Sequence, residues 1–315
     1  MALTIGIDVG GTNVRFGVFD ETQLIDEIRL ESNLSKLCGE LLPEYASDEI
    51  VRILSSGIVS IIEKGHTIQS VGIGFPGFIE PVSKKIVSSP NLPGLSYFNL
   101  AGELSKILGM PFTLENDANS AAYGEYILAG KPQSGLIYIG LGTGVGGGLV
   151  LNGNIFAGLH GCAMEIGHII VEPSGRTCGC GNKGCMEQYA SASGIAISYF
   201  NATQKNLSAM QIAKLASESN KDAIAAYTLA ANALAQTLAS IIKVVDIKNV
   251  VIGGGVASAW PLMKAAFMQR FEADLLPVMR NTIKIKVSNA NDKAGMLGAA
   301  ILSAIDKKME VCMVS

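Results

Sequence analysis

"LTIGIDVGGTNVRFGVFD" (residues 3–20) sets two short apolar runs on either side of Gly10-Gly11-Thr12. Runs of this kind, punctuated by glycine, spell two strands joined by a tight turn. Glycine lets the chain turn sharply and lets backbone N–H groups approach a phosphate with no Cβ in the way. Thr12 adds a hydroxyl, and Asp8, at the end of the first strand, has the chemistry to hold a hydrated Mg2+. The turn is not a P-loop, because no Gly-Lys-Ser/Thr follows it. Nor is it a dinucleotide fingerprint, because a strand rather than a helix comes next. Taken alone, the motif fits a plain hairpin turn equally well.

The pattern occurs twice. "LIYIGLGTGVGGGLVLNG" (136–153) is a second strand, glycine turn and strand, with Gly142, Thr143 and Gly144 at its bend. Ile5, Ile7, Val9 and Gly10 align with Ile137, Ile139, Leu141 and Gly142, whereas Asp8 has Gly140 opposite it. Such self-similarity predicts a duplicated architecture with one hairpin in each domain. Two phosphate-type turns then suit a nucleotide held between lobes. A third glycine cluster, 253–255, ends the strand "NVVIGGG"; Gly254 and Gly255 offer flat backbone for an adenine ring, or simply a strand end packed tightly on a helix.

Outward from these turns, strands and helices alternate. "LIDEIRLES" is a third strand, and Ile50, Ile53, Leu54, Ile58, Ile61 and Ile62 give helical spacing over about 47–64. Then come the strand "SVGIGFPG" and the helix "NLAGELSKILG", capped by Asn99 and Gly109. The strand "PFTLEND" and the helix "ANSAAYGEYILAG" follow. "SAMQ" (208–211) has capping-box form. A long helix is expected over about 221–245, a helix over about 259–274, the strand "IKIKV", and a last helix over about 294–306. This is an α/β chain in two lobes.

Composition narrows the function. Hydrophobic residues are 49 % and charged residues 16 % of the 315-residue chain, which supplies a large buried core rather than a disordered one. A net charge of −3 implies no basic face for nucleic acid. The uncharged stretch 223–242 is long enough to span a bilayer, but its alanines, threonines and amides fit a buried central helix better. Without a signal-peptide pattern, a cytoplasmic protein with reduced cysteines is expected, with no membrane partner.

Two further stretches carry chemistry. In "LENDANSAAYGE" (114–125), Asp117 stands where a strand ends and a helix begins. A carboxylate there is either an N-cap or, at the carboxyl end of a strand, a base for an attacking hydroxyl. Asn116 beside it can donate to and accept from a sugar hydroxyl. In "HIIVEPSGRTCGCGNKGC" (168–185), His168, Cys178, Cys180 and Cys185 supply one imidazole and three thiolates, the composition of a closed structural zinc site. Cys38, Cys162 and Cys312 stand alone and, with His66 and His160, read as residues without a chemical role.

The order and spacing of "DVGGTNVR", "ENDANSAAYGE", "GTGVGGGLVLNGNIFAGLHGCAMEIGH" and "CGCGNKGCMEQYAS" resemble the ROK sugar kinases, across essentially the whole chain. The resemblance implies the actin-like ATPase (RNase H-like) fold, with two lobes and a central cleft: residues 1–117 plus about 295–315 as a small lobe, and 118–294 as a large lobe carrying the zinc loop. It implies an ATP-dependent hexokinase acting on a primary hydroxyl, glucose first, with N-acetylmannosamine or another hexose as the alternative. Asp117 then matches the general base. Asp8, Gly10, Gly11, Thr12, Gly142, Thr143 and Gly144 match the phosphate motifs. Asn91, Asn116, Glu165, His168 and Glu187 match positions that hold sugar hydroxyls, and His168, Cys178, Cys180 and Cys185 match zinc ligands. ATP, Mg2+ carried with it, and a structural Zn2+ are the expected cofactors, and a homodimer is usual in the family. Two departures bear on the sugar: Met164 stands where the family has glycine, and Leu95 where many glucokinases have tryptophan. Sugar-sensing repressors of the family carry a helix-turn-helix ahead of the first phosphate motif. Here that motif starts within ten residues of Met1 and Asp117 is present, so a kinase is expected. A cytoskeletal relative would need neither the cysteine loop nor "ENDAN".

Overall fold

The computed structural model describes residues 3–290 and 293–314, with side chains through Lys307. The chain forms two compact units, Met1–Lys131 with Gly148–Ala163 and Ala290–Ser315, and Pro132–Gly147 with Met164–Asn289. In chain order the first unit carries β1 (Leu3–Val9), β2 (Asn13–Asp20), β3 (Gln23–Glu31), α1 (Leu34–Glu40), α2 (Pro43–Glu63) and β4 (Ile68–Phe75). The short strands β5 (Phe78–Ile79), β6 (Ile86–Ser88) and β7 (Ser96–Phe98) follow, then α3 (Leu100–Leu108), β8 (Phe112–Asn116) and α4 (Asp117–Leu128). The second unit opens with β9 (Leu136–Leu141) and the start of β10 (Val145–Leu151); from Gly148 the chain counts with the first unit, which also holds β11 (Asn154–Ile155). The second unit continues with α5 (Glu187–Ala190), α6 (Ala192–Thr203), α7 (Ala209–Ser217), α8 (Lys221–Val245), β12 (Asn249–Gly253), α9 (Trp260–Asp274) and β13 (Lys284–Val287). The last helix, α10 (Lys293–Val314), returns to the first unit.

The two main sheets repeat one topology. The first runs β3-β2-β1-β4-β8 and the second β11-β10-β9-β12-β13. In each, the first hairpin opens the sheet and two later strands join the first strand's other side in parallel. The aligned pairs Ile5/Ile137 and Ile7/Ile139 are fully buried in their respective sheets, so the duplication expected from sequence is present in the strand order.

In the first unit, α2 buries Ile50, Leu54, Ile58 and Ile61 at steps of four, four and three, the stripe a sheet-covering helix needs. On the sheet, Gly6 and Gly72 face α10: a Cβ on either would stand 1.8 Å from the carbonyl oxygen of Met296 or Ala299. Only glycine lets the helix backbone lie that close. Helix α4 packs on α10 as well, which is why residues 118–131 sit with the first unit although the lobe boundary was expected after Asp117. In the second unit α8 is the packing centre, with Ala230, Leu234, Ala235, Leu238 and Ile242 buried. It is long and apolar enough to cross a membrane by composition, and here it lies against α9, α6 and α7.

The cap signals are realised. Asn99 accepts from the N–H of Gly102, Gly109 takes φ +66° at the end of α3, and Ser208 and Gln211 complete both bonds of the capping box. Helices α1, α5 and α6 and the three-stranded sheet β5-β6-β7 are additions to the expected elements. Helices of seven and four residues, as α1 and α5 are, show too little periodicity to stand out.

Candidate active site

In the first unit the turn after β1 is tied down by its own backbone. The Gly10 N–H donates to the Asn13 carbonyl at 2.9 Å, and the Gly11 and Thr12 carbonyls accept from Ser35 and Ser32 at 3.0 Å each. The segment entering α1 thus holds the turn from outside. Thr12 is exposed, and its hydroxyl accepts from Asn13 Nδ2 at 2.9 Å. Asp8 is half-buried, opposite Arg15 in the β1–β2 register. A Cβ on Gly295 of α10 would lie 3.5 Å from its carboxylate oxygen.

The strand-to-helix junction answers the question its sequence posed. Asn116, not Asp117, caps α4: its Oδ1 accepts from the Asn119 N–H at 3.0 Å, and its Nδ2 donates to the Gly77 carbonyl at 3.0 Å. Asp117 is the first helical residue, and one of its oxygens accepts from the Ala118 N–H at 2.8 Å. Burial pushes the Asp117 carboxyl above the ordinary carboxylate range, against the lowering pull of that N–H. Behind the junction, Glu115 pairs with Lys84 at 3.0 Å and accepts from Asn116 N–H and Asn119 Nδ2. Asn91 lies exposed on the loop before β7, its carbonyl accepting from the Ser35 hydroxyl at 3.0 Å. Leu95, 3 % exposed, belongs to the core of this unit.

In the second unit, Gly142, Thr143 and Gly144 form a tight bend closed by the Gly142 N–H on the Gly144 carbonyl at 2.9 Å. A cavity of about 620 Å3 joins this bend to the end of β12, lined by Gly142, Thr143 and Gly255 with Tyr227, Val256 and Leu262. That volume suits a small organic ligand. Gly254 has φ +82°, and a Cβ there would meet the Leu141 carbonyl oxygen at 2.4 Å, so the strand end requires glycine. Sequence reasoning had the glycines of this cavity but not its apolar wall, because Tyr227 and Leu262 lie on helices whose periodicity marks them only as packing residues.

The cysteine loop folds back on itself. The ligand atoms of His168, Cys178, Cys180 and Cys185 all lie within 4.8 Å of one another. Cys178 Sγ is 3.6 Å from His168 Nδ1, and Cys180 Sγ is 3.6 Å from Cys185 Sγ. Tetrahedral Zn2+ with bonds of about 2.3 Å to sulfur needs edges of about 3.8 Å, so this donor set fits the ion. Burial and the neighbouring sulfurs of Cys180 and Cys178 push the Cys185 thiol up to about 12, while the Asn182 backbone N–H lowers Cys180. A buried thiol whose ionisation its neighbours oppose, as at Cys185, is the environment a cation relieves. With Nδ1 turned to the sulfurs, the other ring nitrogen of His168, Nε2, faces Glu165 at 3.8 Å. Glu187, two residues beyond Cys185, accepts from the Val145 N–H at 2.8 Å through Oε2. Met164, beside Glu165, holds φ +64°, a conformation that favours glycine. Of the cysteines outside this group, Cys38 is buried and Cys162 exposed, and the side chain of Cys312 lies outside the described residues. His66 has a structural partner, Asp26, at 3.1 Å.

Known proteins share this architecture. A glucokinase from Thermotoga maritima is 31 % identical over 312 residues, covering 94 % of this chain and 95 % of its own. An N-acetylmannosamine kinase from Citrobacter koseri is 32 % identical over 307 residues, covering 96 % and 99 %. The crystal structure of a ROK family glucokinase from Streptomyces griseus, in complex with glucose and AMPPNP, superposes with a TM-score of 0.80 at 29 % identity, covering 96 % of this chain and 99 % of that one. The duplicated sheets are therefore those of the actin-like ATPase fold found in ROK sugar kinases. Residues 4–305 match the ROK family, from the first strand into the last helix. A match that leaves neither unit outside it has one meaning: the chain belongs to the ROK family.

Proposed function

We propose that the protein is an ATP-dependent hexose kinase that phosphorylates the primary hydroxyl of glucose. The observation that carries this reading is the division of labour at the start of α4. Asn116 does the capping, and Asp117 is left with a carboxyl whose proton affinity is raised by its surroundings. A base for an alcohol gains from that: a carboxylate that takes a proton more readily than a free one. Relatives that are glucokinases at about the same identity along the whole chain supply the substrate class.

In this account the bends at Gly10–Thr12 and Gly142–Gly144 would border the phosphates of ATP, and Asp8 would hold the hydrated Mg2+ that accompanies them. Gly254 and Gly255 border the space for the base. Asn91, Asn116, Glu165, His168 and Glu187 bind the sugar hydroxyls, and Asp117 orients the primary hydroxyl and accepts its proton as the oxygen meets the γ-phosphorus. Zn2+, when bound to Cys178, Cys180, Cys185 and His168, supplies a fixed point and no step of the reaction. His168 then keeps one tautomer, with Nε2 free to serve the sugar beside Glu165. Met164 stands next to Glu165, and the Citrobacter koseri relative makes N-acetylmannosamine the second sugar to try. An ADP-release assay with Mg·ATP across hexoses and N-acetylhexosamines tests the reading. Glucose is expected to give the highest kcat/KM, and failure of every sugar to release ADP would overturn it.

A further inference from the structure

The bend at 142–144 does not stand on β9 and β10 alone. Three bonds tie it to the corner between α5 and α6: the Ala192 N–H donates to the Gly142 carbonyl at 2.9 Å, the Ser193 hydroxyl to the Thr143 carbonyl at 3.0 Å, and the Val145 N–H to Glu187 Oε2 at 2.8 Å. That corner is in turn tied to the cysteine loop by the side chain of Arg176. Its Nη1 donates to the carbonyls of Gln188 at 2.5 Å and Gly194 at 3.0 Å, and its Nη2 to the Ser198 hydroxyl at 2.9 Å. The guanidinium lies 4.6 Å over the ring of Tyr189, and the backbone N–H of Arg176 donates to the Tyr189 hydroxyl at 3.2 Å. Gln188 adds a second tie, Nε2 to Cys178 Sγ at 3.6 Å.

The partners of Arg176 in these bonds are neutral. A guanidinium drawn out of water onto carbonyls and an aromatic face gives up hydration without the return of an ion pair, and burial lowers its proton affinity accordingly. What the arrangement delivers is geometry. A planar fork fixes a carbonyl of α5, that of Gln188, and one in the first turn of α6, that of Gly194, at the same time, which a single-point donor cannot do.

We propose that Arg176 is a positioning residue that carries the order of the Cys–His loop to the second glycine bend, so that this loop governs how tightly the protein holds nucleotide phosphates as well as how it orients the sugar. The inference rests on the kinase reading above for the identity of the ligand at the bend.

The test is calorimetric titration of the zinc-loaded protein with Mg·AMPPNP in the absence of sugar, with metal content measured on each sample. Arg176→Gln is expected to keep its zinc and to weaken AMPPNP binding at least about fivefold, and Ser193→Ala to weaken it about two- to fivefold. Because both act through one corner, the double variant is expected to bind about as weakly as Arg176→Gln alone rather than by the product of the two factors. In turnover, Arg176→Gln is expected to raise KM for ATP while kcat at saturation stays within about twofold. Arg176→Lys should fall between wild type and Gln, and it carries the same cycle with Ser193→Ala if the glutamine variant does not fold. Zinc-replete Arg176→Gln with wild-type AMPPNP affinity, or factors that multiply, would overturn the inference and leave the kinase reading standing. Wild-type protein that binds no AMPPNP would overturn that reading and this inference with it.

Discussion

Asn116 and Asp117 compete, as residue types, for one position: either can cap a helix, and only one can be spared for chemistry. The sequence left that choice open, because a cap is defined by backbone angles and by which N–H its side chain meets. The structure gives the cap to Asn116 and the first helical position to Asp117. The raised proton affinity of Asp117 has a consequence for stability. The folded state holds this proton more tightly than the unfolded chain does, so the associated stability is complete below the unfolded pKa and is lost as pH rises through the folded one. Asp117→Asn should therefore melt close to wild type at pH about 4 and above it near neutral pH, where the wild type bears the cost of a desolvated charge. Thermal denaturation at both pH values checks this, and equal melting differences at the two would contradict it. Met164 makes a second prediction at this scale. The resemblance marked it as a departure from glycine, but no sequence feature shows that its backbone is left-handed at φ +64°. Met164→Gly should relieve that strain and leave the unfolding free energy unchanged or raised by up to about 1 kcal/mol; a clear loss of stability on denaturant unfolding would show that the methionine's packing outweighs its strain.

Among the elements, the cysteine loop was the most legible, because three thiols and an imidazole at this spacing have the composition of a closed zinc site. Its position relative to the bend at 142–144 was not legible. The corner that joins them contains a four-residue helix, α5, held by Arg176 and by backbone bonds rather than by any periodic pattern. Caps were legible at Asn99, Ser208 and Gly109 because each acts within three or four residues of itself. With the Cys185 thiol pushed up to about 12 by burial and its neighbours, zinc uptake at neutral pH must displace protons. Metal-free protein titrated with Zn2+ should release protons into the buffer, and affinity should fall as pH falls; uptake with no proton release would contradict the thiolate site. Cys180→Ala should lower zinc content and weaken sugar binding by about tenfold or more, as seen when a metal ligand's support is removed. Full sugar affinity in a zinc-free variant would separate the metal from the sugar.

For the whole molecule, the two hairpins predicted a duplication, and the sheets β3-β2-β1-β4-β8 and β11-β10-β9-β12-β13 carry it in their strand order. What local sequence could not show was which segments belong together over long separations. Helix α10 packs on α4 and on β1 and β4, drawing the end of the chain back to its beginning. The reason lies in Gly6 and Gly72, whose missing side chains make sense only once the helix backbone above them is known. Asp8 likewise reads differently with α10 in place, since Gly295 leaves space beside its carboxylate. The proposed role of Asp117 is to take the proton from a hexose hydroxyl that attacks ATP. Its most direct test is ADP and hexose 6-phosphate formation from glucose and Mg·ATP, measured side by side for the wild type and Asp117→Asn. Equal amounts of both products are expected from the wild type and a kcat about 10^2- to 10^4-fold lower in the variant, with glucose affinity changed by no more than about threefold. Near-normal turnover by Asp117→Asn would contradict it.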